Sequence, residues 1–123
     1  MKNYIKEGKR ITYKNSSGST ISAGSVVAVG NIIGIACTDI ANTATGALAI
    51  NGVFEVPKVS GASGHAIAQG EKVLWDASAA KFDLGTATPA TGDISNCCVA
   101  VEAAATTATT VMVKINVGVG TVA

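Results

Sequence analysis

The segment Thr110-Val111-Met112-Val113-Lys114-Ile115-Asn116-Val117 alternates strictly: Val111, Val113, Ile115 and Val117 fall on one side, and Thr110, Met112, Lys114 and Asn116 on the other. Successive side chains leave a β-strand in opposite directions, so this spacing predicts a strand buried on one face. Weaker versions recur along the chain. Ile11 and Tyr13 alternate with Arg10, Thr12 and Lys14, and the run closes at the turn cluster Asn15-Ser16-Ser17-Gly18. Ser25–Val29 and Ile32–Cys37 are β-branched runs separated by Gly30-Asn31, a hairpin-turn dipeptide. Thr38 to Gly46 reads as a loop. Ala47 to Pro57 reads as a longer strand interrupted at Asn51-Gly52, by either a tight turn or a bulge.

A second hairpin holds the only tryptophan. Lys72-Val73-Leu74-Trp75 and Lys81-Phe82-Asp83-Leu84 are short strands, joined by a turn that starts at Asp76, whose side chain can bond its own backbone. Aromatic side chains bury about 150–250 Å² each, so Trp75, Phe82 and the upstream Phe54 are expected to anchor a core otherwise made of Val, Ile and Ala. Gly85 to Asn96, with Pro89 and Gly92, is the longest polar connection, and Cys98–Glu102 pairs with the final strand. Between these last two, Glu102-Ala103-Ala104-Ala105 favours at most one helical turn, because the threonines after it oppose a longer one. The tail 118–123 is expected to fray. Short strands with turn signals at roughly 8–12-residue spacing predict an all-β fold, a single-domain β-sandwich or jelly-roll-like small barrel of antiparallel hairpins.

At 123 residues the chain suits one domain over 1–123, able to bury roughly two-thirds of its unfolded surface. No apolar run reaches the ~18 residues of a membrane span, so no membrane partner is expected. The charged start lacks a hydrophobic signal region, which predicts synthesis in the cytoplasm. Net charge is unevenly placed. Lys2, Lys6, Lys9, Arg10 and Lys14 against Glu7 make residues 1–14 a basic arm of +4, and the whole-chain value of +1 leaves −3 for the rest. Such an arm suits an acidic partner, protein or nucleic acid, although a solvated terminal strand gives the same pattern.

Catalytic signatures are missing. No G-x-x-x-x-G-K-[ST] phosphate loop is present, and Gly118-Val119-Gly120 is a dinucleotide fragment with no helix after it. His65 is the one imidazole; Cys37, Cys97 or Cys98 with Asp39, Asp76 or Asp93 could be combined with it, but no spacing selects a set. An exposed or locally bonded histidine is the simpler reading. The three cysteines read as small buried hydrophobes, with adjacent Cys97 and Cys98 on opposite faces of a strand. Too few ligands exist for zinc, and neither cofactor nor metal is expected. Tyr4 and Tyr13 within the basic arm leave one alternative, a small β-barrel that binds single-stranded nucleic acid by stacking.

Four segments follow one another in a recognisable order: Asn3-Tyr4-Ile5-Lys6-Glu7-Gly8, Gly52-Val53-Phe54-Glu55-Val56-Pro57-Lys58, Gly70-Glu71-Lys72-Val73-Leu74-Trp75-Asp76 and Val99-Ala100-Val101-Glu102-Ala103. Together they resemble the small tailed-phage capsid cement, or head decoration, proteins over nearly the full chain. The resemblance implies a non-enzymatic β-sandwich that binds the outside of the capsid as a homo-oligomer, dimer or trimer. It would staple neighbouring subunits of the phage major capsid protein and be located on the virion. No catalytic residues carry over. Capsid contacts are expected from the basic arm, at Lys2, Tyr4, Lys6, Lys9 and Arg10.

Overall fold

A computed structural model describes residues 5–61 and 64–123. Among them there is no helix, and the strands form two antiparallel sheets. The first contains β1 (Arg10–Lys14), β2 (Val26–Val29), β3 (Ile32–Ala36) and β4 (Thr45–Ala49), in the order β1-β4-β3-β2. The second contains β5 (Val53–Pro57), β6 (Lys72–Asp76), β7 (Lys81–Leu84), β8 (Ile94–Ala100) and β9 (Thr110–Lys114), in the order β5-β9-β8-β6-β7. A two-residue β10 (Thr121–Val122) joins it against β8. The architecture is the all-β sandwich expected from strand periodicity. A parallel bridge between Lys58 and Phe82 also brings the end of β5 against β7, so the second sheet curls towards a barrel.

Both hairpins form. Gly30 takes φ +56° at the first central position between β2 and β3, where a type II′ turn requires glycine. In the other, Trp75 stands opposite Phe82, and the Asp76 carboxylate accepts bonds from the Ser78 hydroxyl (2.9 Å) and the Ala79 amide (3.2 Å). The two rings meet edge to face with centroids 5.0 Å apart.

The main core lies between the sheets. Ile33 and Ile35 of the first sheet pack with Val56, Val73, Trp75, Phe82, Ile94, Val111 and Val113 of the second. Phe54 is only half-buried at the margin of this core, so it contributes less than the other two aromatics. A smaller cluster of Ala36, Ile40 and Leu48 lies apart from it, lined by Ile11, Tyr13, Val27 and Val29. Gly34 is needed there because a Cβ would stand 2.9 Å from Leu48 Cδ1 and 3.0 Å from its Cβ.

Several expectations are corrected. Asn51-Gly52 is neither a hairpin turn nor a bulge within one strand: it carries the chain from β4 in the first sheet to β5 in the second. The loop placed at 38–46 ends earlier, because Thr45 and Gly46 already pair with Lys14 and Tyr13. Val117 leaves the buried face of its neighbours and is exposed, since Asn116 takes φ +56° and swings the chain out of register. Cys97 and Cys98 both enter the core instead of opposite faces. A bulge opens between the Val73↔Cys98 and Trp75↔Ile94 pairs, and Asn96 within it takes φ +63°. Cys37 is exposed, one residue past the end of β3. The segment 118–123 is pinned rather than frayed: Thr121 and Val122 pair with Ser95 and Ile94, and the Gly120 amide donates to the Asn31 carbonyl at 2.9 Å.

Candidate functional site

The described part of the basic arm runs exposed along residues 5–10, and its base is fastened where the Ile50 amide donates to the Lys9 carbonyl at 3.0 Å. Lys9 Nζ lies 3.2 Å from Glu7 Oε2, an exposed pair worth little in water. Among the described residues Lys6 and Arg10 have no ion-pair partner. The arm walls a groove of about 830 Å³ whose lining includes Ile35, Ala49, Asn51 and Phe54. Lys6, Lys9 and Arg10 therefore share one surface beside an apolar floor; Lys2 and Tyr4 lie outside the described residues.

Tyr13 does not offer a stacking surface. Its ring packs half-buried against the Ile40–Leu48 cluster, because β1 directs Ile11 and Tyr13 inward and Arg10, Thr12 and Lys14 outward. An aromatic stacking platform inside the arm, required by the nucleic-acid alternative, thus lacks this residue.

The residues considered for catalysis do not converge. His65 Nδ1 is 3.1 Å from Asp83 Oδ1, a carboxylate other than Asp39, Asp76 and Asp93, and the same oxygen accepts the Leu84 amide at 2.7 Å. The imidazole is neither fully exposed nor bonded to its sequence neighbours: its partner lies in β7. Asp76 caps its own turn, Asp39 accepts the Ala23 amide at 2.7 Å, and Asp93 accepts the amides of Ala77 and Ala90. Each carboxylate holds a loop. Among the described residues no group of three or more His, Cys, Asp and Glu could hold a metal ion.

Buried polar groups are the features that strand periodicity does not disclose. Asn15 is fully buried, donates to the carbonyls of Ser19 (2.7 Å) and Ile40 (2.9 Å), and accepts from the Ser17 amide and hydroxyl. Its place in a turn cluster was the available signal, since Asn bonds its own local backbone. Asn116 clasps the sheets together: Nδ2 donates to Ile33 and Ile50 carbonyls at 2.6 and 2.7 Å, and Oδ1 accepts from Ile33 N and Cys97 Sγ. The signal there was an Asn ending an alternating strand, because Asn tolerates positive φ. The neighbouring Cys98 thiol draws the Cys97 thiol down to about 7, while the presence of Cys97 and burial push Cys98 up.

Lys58 is the least expected of these. It is 1% exposed, and its ammonium donates to the carbonyls of Val59 (2.8 Å), Thr106 (3.4 Å) and Ala108 (3.4 Å). Burial lowers its pKa from the usual lysine value, and the Asp83 carboxylate offsets part of that shift. Lys58 thereby ties the seam between β5 and β7 to the 101–109 loop.

Among the described residues no helix is long and apolar enough to cross a membrane. Comparison with curated proteins and with solved structures gives no match. A family model described as phage cement protein matches residues 5–115, which takes in all the strands from β1 to β9 and the described arm. The chain belongs to the phage cement protein family, a family of capsid structural proteins.

Proposed function

We propose that the protein binds the outer surface of a phage capsid as a homo-oligomer of two or three copies and staples neighbouring major capsid protein subunits, catalysing no reaction. It acts on the virion after synthesis in the cytoplasm of the bacterial host. Family membership over residues 5–115 carries this reading. The sandwich supports it physically: a rigid body with two sheets sharing one core can transmit load between the subunits it touches, and many copies on one shell turn modest contacts into high avidity. The contact surface proposed is the basic arm, through Lys2, Tyr4, Lys6, Lys9 and Arg10, against an acidic capsid surface.

Mixing the purified protein with undecorated capsids and imaging them tests the reading: ordered density should appear on the outer surface, bridging capsid subunits. Bare shells at saturating protein would refute it. For the arm, deletion of residues 1–9 should weaken binding and flatten its salt dependence. Light scattering should report a dimer or trimer; a monomer at every accessible concentration removes the self-association.

A further inference from the structure

The second sheet ends in two edges that differ. At β7 the edge is met by Lys58 and Val59, whose amide donates to the Phe82 carbonyl at 2.8 Å. Among the described residues, β5 pairs along its length with β9 alone. The direction of its free groups follows from two bonds. The Gly52 carbonyl accepts from Ile115, and the Lys58 amide donates to Thr109. Main-chain groups alternate sides along an antiparallel strand, so residues 52, 54, 56 and 58 bond β9 while Val53 and Glu55 aim theirs at the open edge. Beyond Glu55 the edge closes against β7 through the Lys58–Phe82 bridge, so the open stretch runs from Val53 to Glu55. A bare edge carrying a half-exposed valine is a pairing template unless something covers it.

A groove made of two openings lies beside β5. The opening beside the arm reaches Asn51 and Phe54, and a second of about 460 Å³ reaches Pro57, Trp75 and Ala80. Gly24 lines both, so the two openings adjoin, touching β5 at Phe54 and Pro57. Apolar side chains lie along the groove, and Lys6, Lys9 and Arg10 stand at one end against the single carboxylate of Glu7.

We infer that the open edge of β5 accepts an extended segment of a protein partner as an added strand, with alternate apolar side chains in the groove and acidic side chains beside Lys6 and Arg10. Main-chain hydrogen bonds to Val53 and Glu55 supply affinity, and the groove and its basic end supply selectivity. The inference rests on the capsid-binding reading, in which the segment belongs to the major capsid protein.

Glu55→Pro removes the edge-facing N–H without breaking a bond to β9, since proline is tolerated at an edge position whose N–H faces outward. Glu55→Thr removes the same charge but keeps the N–H. With melting curves matching the unaltered protein, Glu55→Pro should bind undecorated capsids about tenfold more weakly, and Glu55→Thr should bind as the unaltered protein does. A second measurement needs no variant: hydrogen exchange by mass spectrometry should show residues 53–55 protected in the capsid-bound protein relative to the free one. If the unaltered protein binds while this stretch gains no protection, the added strand is wrong and the capsid reading stands. Equal binding by a folded Glu55→Pro would likewise overturn the added strand alone. Absence of capsid binding by the unaltered protein overturns both.

Discussion

The two apolar clusters are built by opposite means. Between the sheets, Trp75, Phe82 and branched aliphatics from both layers exclude water through sheer area. Beside the first sheet, the cluster of Ala36, Ile40 and Leu48 is too small for that. It is held by what surrounds it: Asn15 bonds the loops on either side, while Gly34 and Gly46 leave room for Leu48 and Ile40. The main core should therefore respond to lost volume, and the small cluster to lost hydrogen bonds or added atoms.

The largest effect tests the main core. Trp75→Ala should cost about 3–5 kcal/mol in denaturant unfolding, because a buried indole leaves a cavity that the sheets cannot collapse around. A midpoint that scarcely moves would place the ring's contribution elsewhere. Asn15→Ala removes a side chain of much smaller apolar area, yet it should cost about 2–3 kcal/mol, since the Ile40 carbonyl loses a buried donor and the Ser17 amide its acceptor. If calorimetry finds Asn15→Ala neutral, the two clusters do not differ in kind. Gly34→Ala should cost about 1–3 kcal/mol by overpacking against Leu48, and a second change, Leu48→Ala, should recover part of it.

The smallest effect concerns pH. Burial depresses the folded-state pKa of Lys58, so the folded protein releases this proton at lower pH than the unfolded chain does. The unfolded state then binds more protons between the depressed value and 10.5. Stability from this group rises with pH through that window, is complete above 10.5, and is lost as pH falls through the depressed pKa. The urea midpoint of the unaltered protein should gain on that of Lys58→Met as pH rises from neutral towards 10.5. Parallel midpoints across that range would mean the ammonium is not held by burial.

Much of the fold was legible because it follows from apolar spacing and local turns. The Trp75 hairpin needed only two short strands and an Asx turn, and Ile32–Cys37 read as a strand because it is a β-branched run, which the structure buries from Ile32 to Ala36. What was hidden depends on partners distant in the chain. Nothing local in Asn51-Gly52 says that β4 and β5 belong to different sheets; the registers with β1 and β9 decide it. Cys97 and Cys98 share a side only because of the bulge around Asn96. The arm was visible as a charge cluster, but its neighbour, the open edge of β5, emerges only when the strand order is known.

Asn116 has a consequence for how the protein comes into being. Its amide joins Ile33 and Ile50 to the β8–β9 region, and Gly120 meets Asn31 from the other end of the sequence. Contacts this distant close slowly, since a long loop must be ordered before they return any stabilisation. Until Asn116 has left the ribosome the two sheets have no clasp, and β5 waits for β9 before it can pair along its length. The nascent chain thus exposes its β-branched strands until Asn116 emerges, and mutations that slow closure of this clasp should show first as lost soluble yield.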